Sequence, residues 1–212
     1  MTRVIDGRTD ALFVEGPDDG AVVNALVRKL LGLEIGKKPP LVRANDAGGG
    51  DAWALRQFSA AVATARPGAR VGVIVDRDGA ENDKWPAVRE QLRGLGAAAD
   101  APTASGAIVG GRFGVWMWPD NVSHGDLETF VTGVVAPSAL LAYAEEASRT
   151  AKEAHGAEYA QAHSRKAALK VRSVWRDASA AGGYGHLVRN LPLVDTPACK
   201  GFVDWFGALF LR

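Results

Sequence analysis

The run RVGVIVD, Arg70–Asp76, constrains this chain more than any other stretch of it. Its valines and isoleucine make it the clearest buried strand in the sequence, and it ends on a carboxylate. Two earlier segments have a similar layout. Ala11–Val14 is a short apolar strand that runs into Glu15, ahead of a helix expected over about Ala21–Leu31. Leu41–Ala44 precedes the turn Asn45–Asp51 and a helix expected over Ala52–Ala65. After Asp76 a third helix is expected within Asn82–Gly96, closed by a glycine stop. Strand and helix alternating three times at this spacing predict an α/β fold, with a mostly parallel sheet flanked by helices. Beyond Ala97 the chain turns small and glycine-rich, then offers one more strand in FGVWMWPDN and an acidic turn. From about Pro137 it reads as helical: Ser138–Arg149, Glu153–Arg165, Lys166–Ala178 and Pro197–Leu211. The expected organisation is an α/β core over residues 1–135, with a helical C-terminal extension over 136–212 packed on it.

The 212 residues have a net charge of +1, with neither a basic nor an acidic tail. A nucleic-acid partner would therefore have to be drawn by a local patch or by bound metal ions. The single cysteine, Cys199, excludes an internal disulfide and any multi-cysteine zinc site, and fits a reducing compartment. MTRVIDGRTD has no apolar signal core, and no apolar run approaches the roughly 18 residues of a membrane span. The expectation is a cytoplasmic protein without a membrane partner.

Carboxylates cluster where the expected strands end. The first strand ends in Glu15, with Asp18 and Asp19 close behind; the Val-rich strand ends in Asp76-Arg77-Asp78-Gly79. The late strand ends in Asp120, with Asp126 and Glu128 following in HGDLETF. An open parallel sheet aligns the carboxyl ends of its strands along one edge, where ligands bind. Acids gathered there repel one another unless a cation lies between them. Oxygen ligands without His or Cys suit Mg²⁺ or Mn²⁺. Taken singly, Asp18 and Asp19 also read as helix caps and Asp76–Gly79 as a turn, whereas glutamate is a poor cap and a poor strand residue. A calcium loop starting at Asp76 fails, since Glu81 and Ala87 occupy the positions that need glycine and glutamate. NDAGGGD has no following Gly-Lys-Ser/Thr and is not a phosphate cradle.

VEGPDD after a first strand and VDRDG after a third resemble the two signatures of the Toprim domain. The whole chain resembles more closely the small Toprim-like proteins of the DUF3226 family, in which GVWMWPDNVSHGDLETF (Gly114–Phe130) and FVDWFGALF also have counterparts. That resemblance implies a Toprim-like Rossmannoid sheet related to the overcoming-lysogenization-defect nucleases. It assigns Glu15, Asp19, Asp76, Asp78 and Glu128 as metal ligands, Glu15 also as a catalytic acid or base, and Lys166 as the lysine near the scissile phosphate, with Lys170 or Arg165 as substitutes. The nuclease branch carries an ATPase domain; no Walker motif occurs here, so such a partner would be a separate chain.

Three functions follow as expectations. The first is Mg²⁺- or Mn²⁺-dependent hydrolysis of nucleic-acid phosphodiesters, with substrate held by Arg165, Lys166, Lys170, Arg172, Arg176 and Arg189. The second is a non-catalytic metal- or nucleotide-binding subunit of a larger assembly, or a homo-oligomer, in which Trp116, Trp118, Trp175, Trp205 and Phe210 form either an interface or core. The third is a nucleotidyl transferase or small-molecule phosphohydrolase using the same acids.

Overall fold

In the computed structural model, which describes residues 4–5, 7–36, 39–45, 50–98, 100–176 and 183–211, the alternating pattern becomes a layered α/β fold. The elements run β1 (Val4–Ile5), β2 (Ala11–Val14), α1 (Pro17–Leu31), β3 (Glu34–Ile35), β4 (Val42–Ala44), α2 (Gly50–Ala63), β5 (Val71–Asp76) and α3 (Trp85–Gly94). There follow β6 (Ala107–Val109), β7 (Phe113–Trp118), α4 (Leu127–Val134), α5 (Ala139–Ala154), α6 (Ser164–Arg176), α7 (Tyr184–Asn190) and α8 (Pro197–Phe210). The main sheet has the order β4-β2-β5-β7-β6. Its first four strands are parallel, and β6 is an antiparallel edge on β7. β1 and β3 form a separate parallel pair.

Side-chain alternation along the strands gives the sheet two buried faces. Leu12, Val14, Ile74, Trp116 and Trp118 point to the layer that contains α1, α4, α7 and α8. Ala11, Phe13, Val71, Val73, Val75, Val115 and Met117 point to α2 and α3. Helix α8 approaches the sheet closely because paired glycines lie beneath it. Gly72 and Gly114 face each other across β5 and β7. A Cβ on Gly114 would stand 2.5 Å from Leu209 and 3.1 Å from Trp205. Trp116, Trp118, Trp205 and Phe210 are therefore core residues, joined by Phe130 and Phe202 in one aromatic cluster. Trp175 differs: it is exposed and packs on Tyr143, 5.4 Å away between ring centres.

Three expectations change. No helix spans Glu153–Arg165: α5 continues to Ala154, and Gly156 takes a left-handed φ of 74°. The chain then folds back, with the Tyr159 hydroxyl donating to the Ser148 carbonyl and Lys152 Nζ donating to the Tyr159 carbonyl. A 3-10 turn at 161–163 leads into α6. Second, HGDLETF is not only an acidic turn but starts α4, capped by Asp126. Third, α7 occupies a stretch of the helical C-terminal portion to which no element was assigned. Residues 37–38, residues 46–49 of the expected Asn45–Asp51 turn, and residues 177–178 of the expected Lys166–Ala178 helix lie outside the described residues. No helix among the described residues is long and apolar enough to cross a membrane.

Phe202 is fully buried between Trp116, Trp118 and Trp205. Phe202→Ala is expected to lower the unfolding free energy by about 3–5 kcal/mol. Urea titration should show the midpoint falling at an unchanged m-value; an unaffected midpoint would place α8 outside the cooperative core.

Candidate functional site

The chain leaves β2 through α1 to β4 on one side, then returns through α2 to β5 on the other side of β2. The connections thus diverge between β2 and β5, the point in an open parallel sheet where a crevice forms beyond the strand ends. Glu15 and Asp76 are the residues at those two ends. The Asp76 backbone N–H donates to Glu15 Oε1 at 2.7 Å, which ties the glutamate across the switch point.

The flanking turns are fixed by their own residues. Asp78 takes φ 65°, a conformation aspartate tolerates. It exchanges backbone hydrogen bonds with Gly125, 2.8 and 2.9 Å long. Buried Arg77 braces this turn with a two-pronged ion pair to Asp83 (3.1 and 3.0 Å) and a bond to the Val122 carbonyl. Those bonds seat the start of α4 against β5, and the Leu127 N–H donates to Asp76 Oδ1 at 2.9 Å. Glu128, one residue later, is buried and accepts from the Tyr184 hydroxyl at 2.8 Å. Asp19 also reaches this place from α1. It does act as a helix cap, accepting from the Gly16 N–H, while its other oxygen accepts from Trp118 Nε1 at 3.0 Å.

Cations surround this group on its periphery. Lys166 pairs with Glu128 at 3.7 Å, Lys170 with Asp18 at 2.8 Å, and Arg165 with Asp126 at 3.9 Å. Opposite α6, Lys84 pairs with Asp51 at 3.0 Å and Asp78 at 3.7 Å. Among the described residues, no Lys or Arg makes an ion pair with Glu15, Asp19 or Asp76.

The inner acids respond as uncompensated charges do. Burial, followed by the fields of Glu15, Asp19, Glu128 and Asp126, pushes Asp76 up to about 9. Burial raises Glu15 to about 7, against the opposing Asp76 N–H and with help from Asp19, Asp51 and Asp78. Burial likewise raises Asp19 to about 6, partly offset by the Trp118 and Gly16 donors and increased by Glu128. Asp78 is raised less, because Lys84 counters the desolvation.

An anionic, all-oxygen donor set with no internal cation on its inner members suits a hard divalent ion. The described side chains are not gathered into a coordination shell: among them, no three His, Cys, Asp or Glu groups stand close enough to form a ready-made metal cage. Their oxygens are held instead by backbone, Trp, Tyr and Lys donors.

Of the residues expected from the sequence, Glu15, Asp19, Asp76, Asp78 and Glu128 lie in this one neighbourhood, and Lys166, Lys170 and Arg165 border it. Arg172 does not. It is 2% exposed, its Nη2 reaches Ser138 Oγ at 3.4 Å, and Nε and Nη1 lack hydrogen-bond partners. A surface contact with nucleic acid is therefore closed to it. Arg189 lines a separate hollow with Arg28 and Asn24, so the basic residues form no single patch. Asp120 serves its own turn, accepting from the Val122 and Ser123 N–H groups. The sequence reading missed Asp51, Lys84 and Tyr184. Asp51 belonged to a flexible turn and Lys84 to a helix start, with no local signal pointing to the site. Tyr184 lies in a helix too short to be recognised.

A family model described as "Protein of unknown function (DUF3226)" matches residues 9–211. No curated protein and no solved structure matches the chain.

Because the folded-state values of Asp76, Glu15 and Asp19 are raised, the native state binds protons that the unfolded chain releases above about pH 4. In chelator, the stability that these three groups contribute should be fully present below about pH 4 and decline as pH rises toward about 9. Asp76→Asn can keep the bond from Leu127 N–H without the charge. It should raise metal-free stability at pH 8 by on the order of 1–3 kcal/mol. Thermal melts of both proteins at pH 5 and pH 8 test this; a gain from Asp76→Asn no larger at pH 8 than at pH 5 would contradict it.

Proposed function

The chain belongs to the DUF3226 family, and we propose that it is a Toprim-like phosphodiesterase that uses Mg²⁺ or Mn²⁺ to hydrolyse nucleic acid. The observation that carries this reading is the charge distribution at the switch point. Among the described residues, three carboxylates without an ion pair, Asp19 buried and Glu15 and Asp76 half-buried, stand beside a rim of acids that each have a lysine or arginine. Such an arrangement favours a divalent cation at the centre and leaves basic side chains at the edge, where phosphates would enter.

Glu15, Asp76 and Asp78 would hold the ion, with Asp19 and Glu128 at a second position. A bound divalent ion there supplies Lewis-acid stabilisation of phosphate charge. Glu15 keeps Oε1 on the Asp76 N–H, so Oε2 is the atom available for the ion or for holding and releasing a proton near neutral pH. Lys166 and Lys170, on the acid-facing side of α6, would meet the substrate's phosphates; Arg165 adds a third charge at the helix start. Relationship to the Toprim nucleases rests on the VEGPDD and VDRDG segments, whose acids lie together at the ends of β2 and β5.

A second reading, a metal-binding subunit that acts with a partner chain such as an ATPase or with another copy of itself, is favoured by the exposed Tyr143–Trp175 pair. One experiment separates the two. Mg²⁺ and Mn²⁺ are titrated calorimetrically into the wild type and Asp76→Asn/Asp78→Asn, and the same proteins are incubated with plasmid, single-stranded DNA and structured RNA. The nuclease reading expects metal binding and metal-dependent cleavage, with cleavage reduced at least about 100-fold in the variant. Binding without cleavage supports the subunit, and absence of binding overturns both.

A further inference from the structure

Lys84 has no counterpart in the sequence reading, yet it joins three elements at the acidic site. It lies just before α3, and its backbone N–H donates to the Arg77 carbonyl at 3.0 Å. This fixes it beside the turn that the Arg77–Asp83 ion pair braces. Its ammonium group then reaches Asp51 Oδ2, in the first turn of α2, at 3.0 Å and Asp78 Oδ2 at 3.7 Å. The start of α2 is itself next to the site: a Cβ on Gly50 would stand 3.8 Å from Glu15 Oε2. The fields of Asp51, Asp78 and, more weakly, Glu15 hold the Lys84 ammonium above its ordinary value.

The two contacts are unequal. Asp51 is the close partner and Asp78 the distant one, so Lys84 can lose Asp78 and remain anchored. Two cations on one carboxylate repel each other, and a divalent ion on Asp78 would weaken the longer contact first. An ammonium group also has three donors and no acceptor, so a lysine anchored by one carboxylate can still donate to a phosphate.

Resting on the proposed phosphodiesterase site, we infer that Lys84 is its tethered counter-ion: it competes with the divalent cation for Asp78 and, held by Asp51, contacts a phosphate of the nucleic acid. Lys166 differs in that its acid partner is Glu128, across the site on the α4 side. The two lysines therefore flank the acids from opposite directions. An ordinary structural salt bridge would behave otherwise, since its loss would loosen the site and weaken both ligands together.

The test uses Lys84→Met and the charge-conserving Lys84→Arg in the full chain, with Lys84→Gln in reserve where the methionine variant fails to fold. Calorimetric titration of Mg²⁺ should show Lys84→Met binding about two- to fivefold more tightly than the wild type, and Lys84→Arg close to it. Binding of a single-stranded DNA oligonucleotide, measured by fluorescence anisotropy over a salt series in Ca²⁺, should weaken in Lys84→Met. The slope of log affinity against log salt should fall by about 0.7, one phosphate contact on a single strand. Equal or weaker Mg²⁺ binding by Lys84→Met, or an unchanged salt slope, overturns the role of Lys84 and leaves the metal site standing. Failure of the wild type and all variants to bind Mg²⁺ overturns the underlying site as well.

Discussion

Carboxylates drawn partly or wholly out of water without an ion pair are the constraint on which the structure of the site depends. Water would solvate Glu15, Asp19 and Asp76 far better than the crevice does, and each raises the cost of ionising the others. The protein tolerates them by supplying donors: the Asp76 N–H to Glu15, the Leu127 N–H to Asp76, and Trp118 with the Gly16 N–H to Asp19. These bonds lessen the repulsion without cancelling charge. What is left over is an electrostatic demand that a divalent cation would meet.

The helical C-terminal portion is inseparable from that demand. Helix α6 brings three cations to the rim, and α7 brings the Tyr184 hydroxyl to Glu128, with Lys170 also 4.6 Å from the centre of the Tyr184 ring. Helix α7 is secured in turn by Lys29 of α1, whose ammonium group donates to the Val188, Arg189 and Leu191 carbonyls at the end of α7. Helix α8 seals β5 and β7 from beneath through the Gly72–Gly114 pair, in the same core as Trp118, which holds Asp19. Residues beyond 135 therefore supply site partners and core together.

The strand ends were legible in the sequence because their signals are local. Apolar runs mark β2, β5 and β7, alternation with helices implies parallel pairing, and parallel pairing aligns Glu15 with Asp76. Helix α4 was obscured by its polar entrance, although Asp126 and Thr129 form a capping pair three residues apart. The expected helix over Glu153–Arg165 failed because Gly156 allows a left-handed stop that residue periodicity does not register. Asp51, Lys84 and Tyr184 could not be assigned, since only tertiary packing brings α2, the pre-α3 turn and α7 to the edge of the sheet. The same limit applies to Arg172: helical spacing places it among basic neighbours, and packing against α5 then buries it.

A divalent ion residing between β2 and β5 is what the proposed chemistry requires above all. Anomalous diffraction from crystals grown with Mn²⁺ locates that ion without reference to any activity. A manganese peak is expected, bounded by Glu15, Asp76 and Asp78, with the Glu15 and Asp76 carboxylates turned toward it. A map from Mn²⁺-saturated crystals with no peak there, and with Lys84 still shared by Asp51 and Asp78, would contradict it.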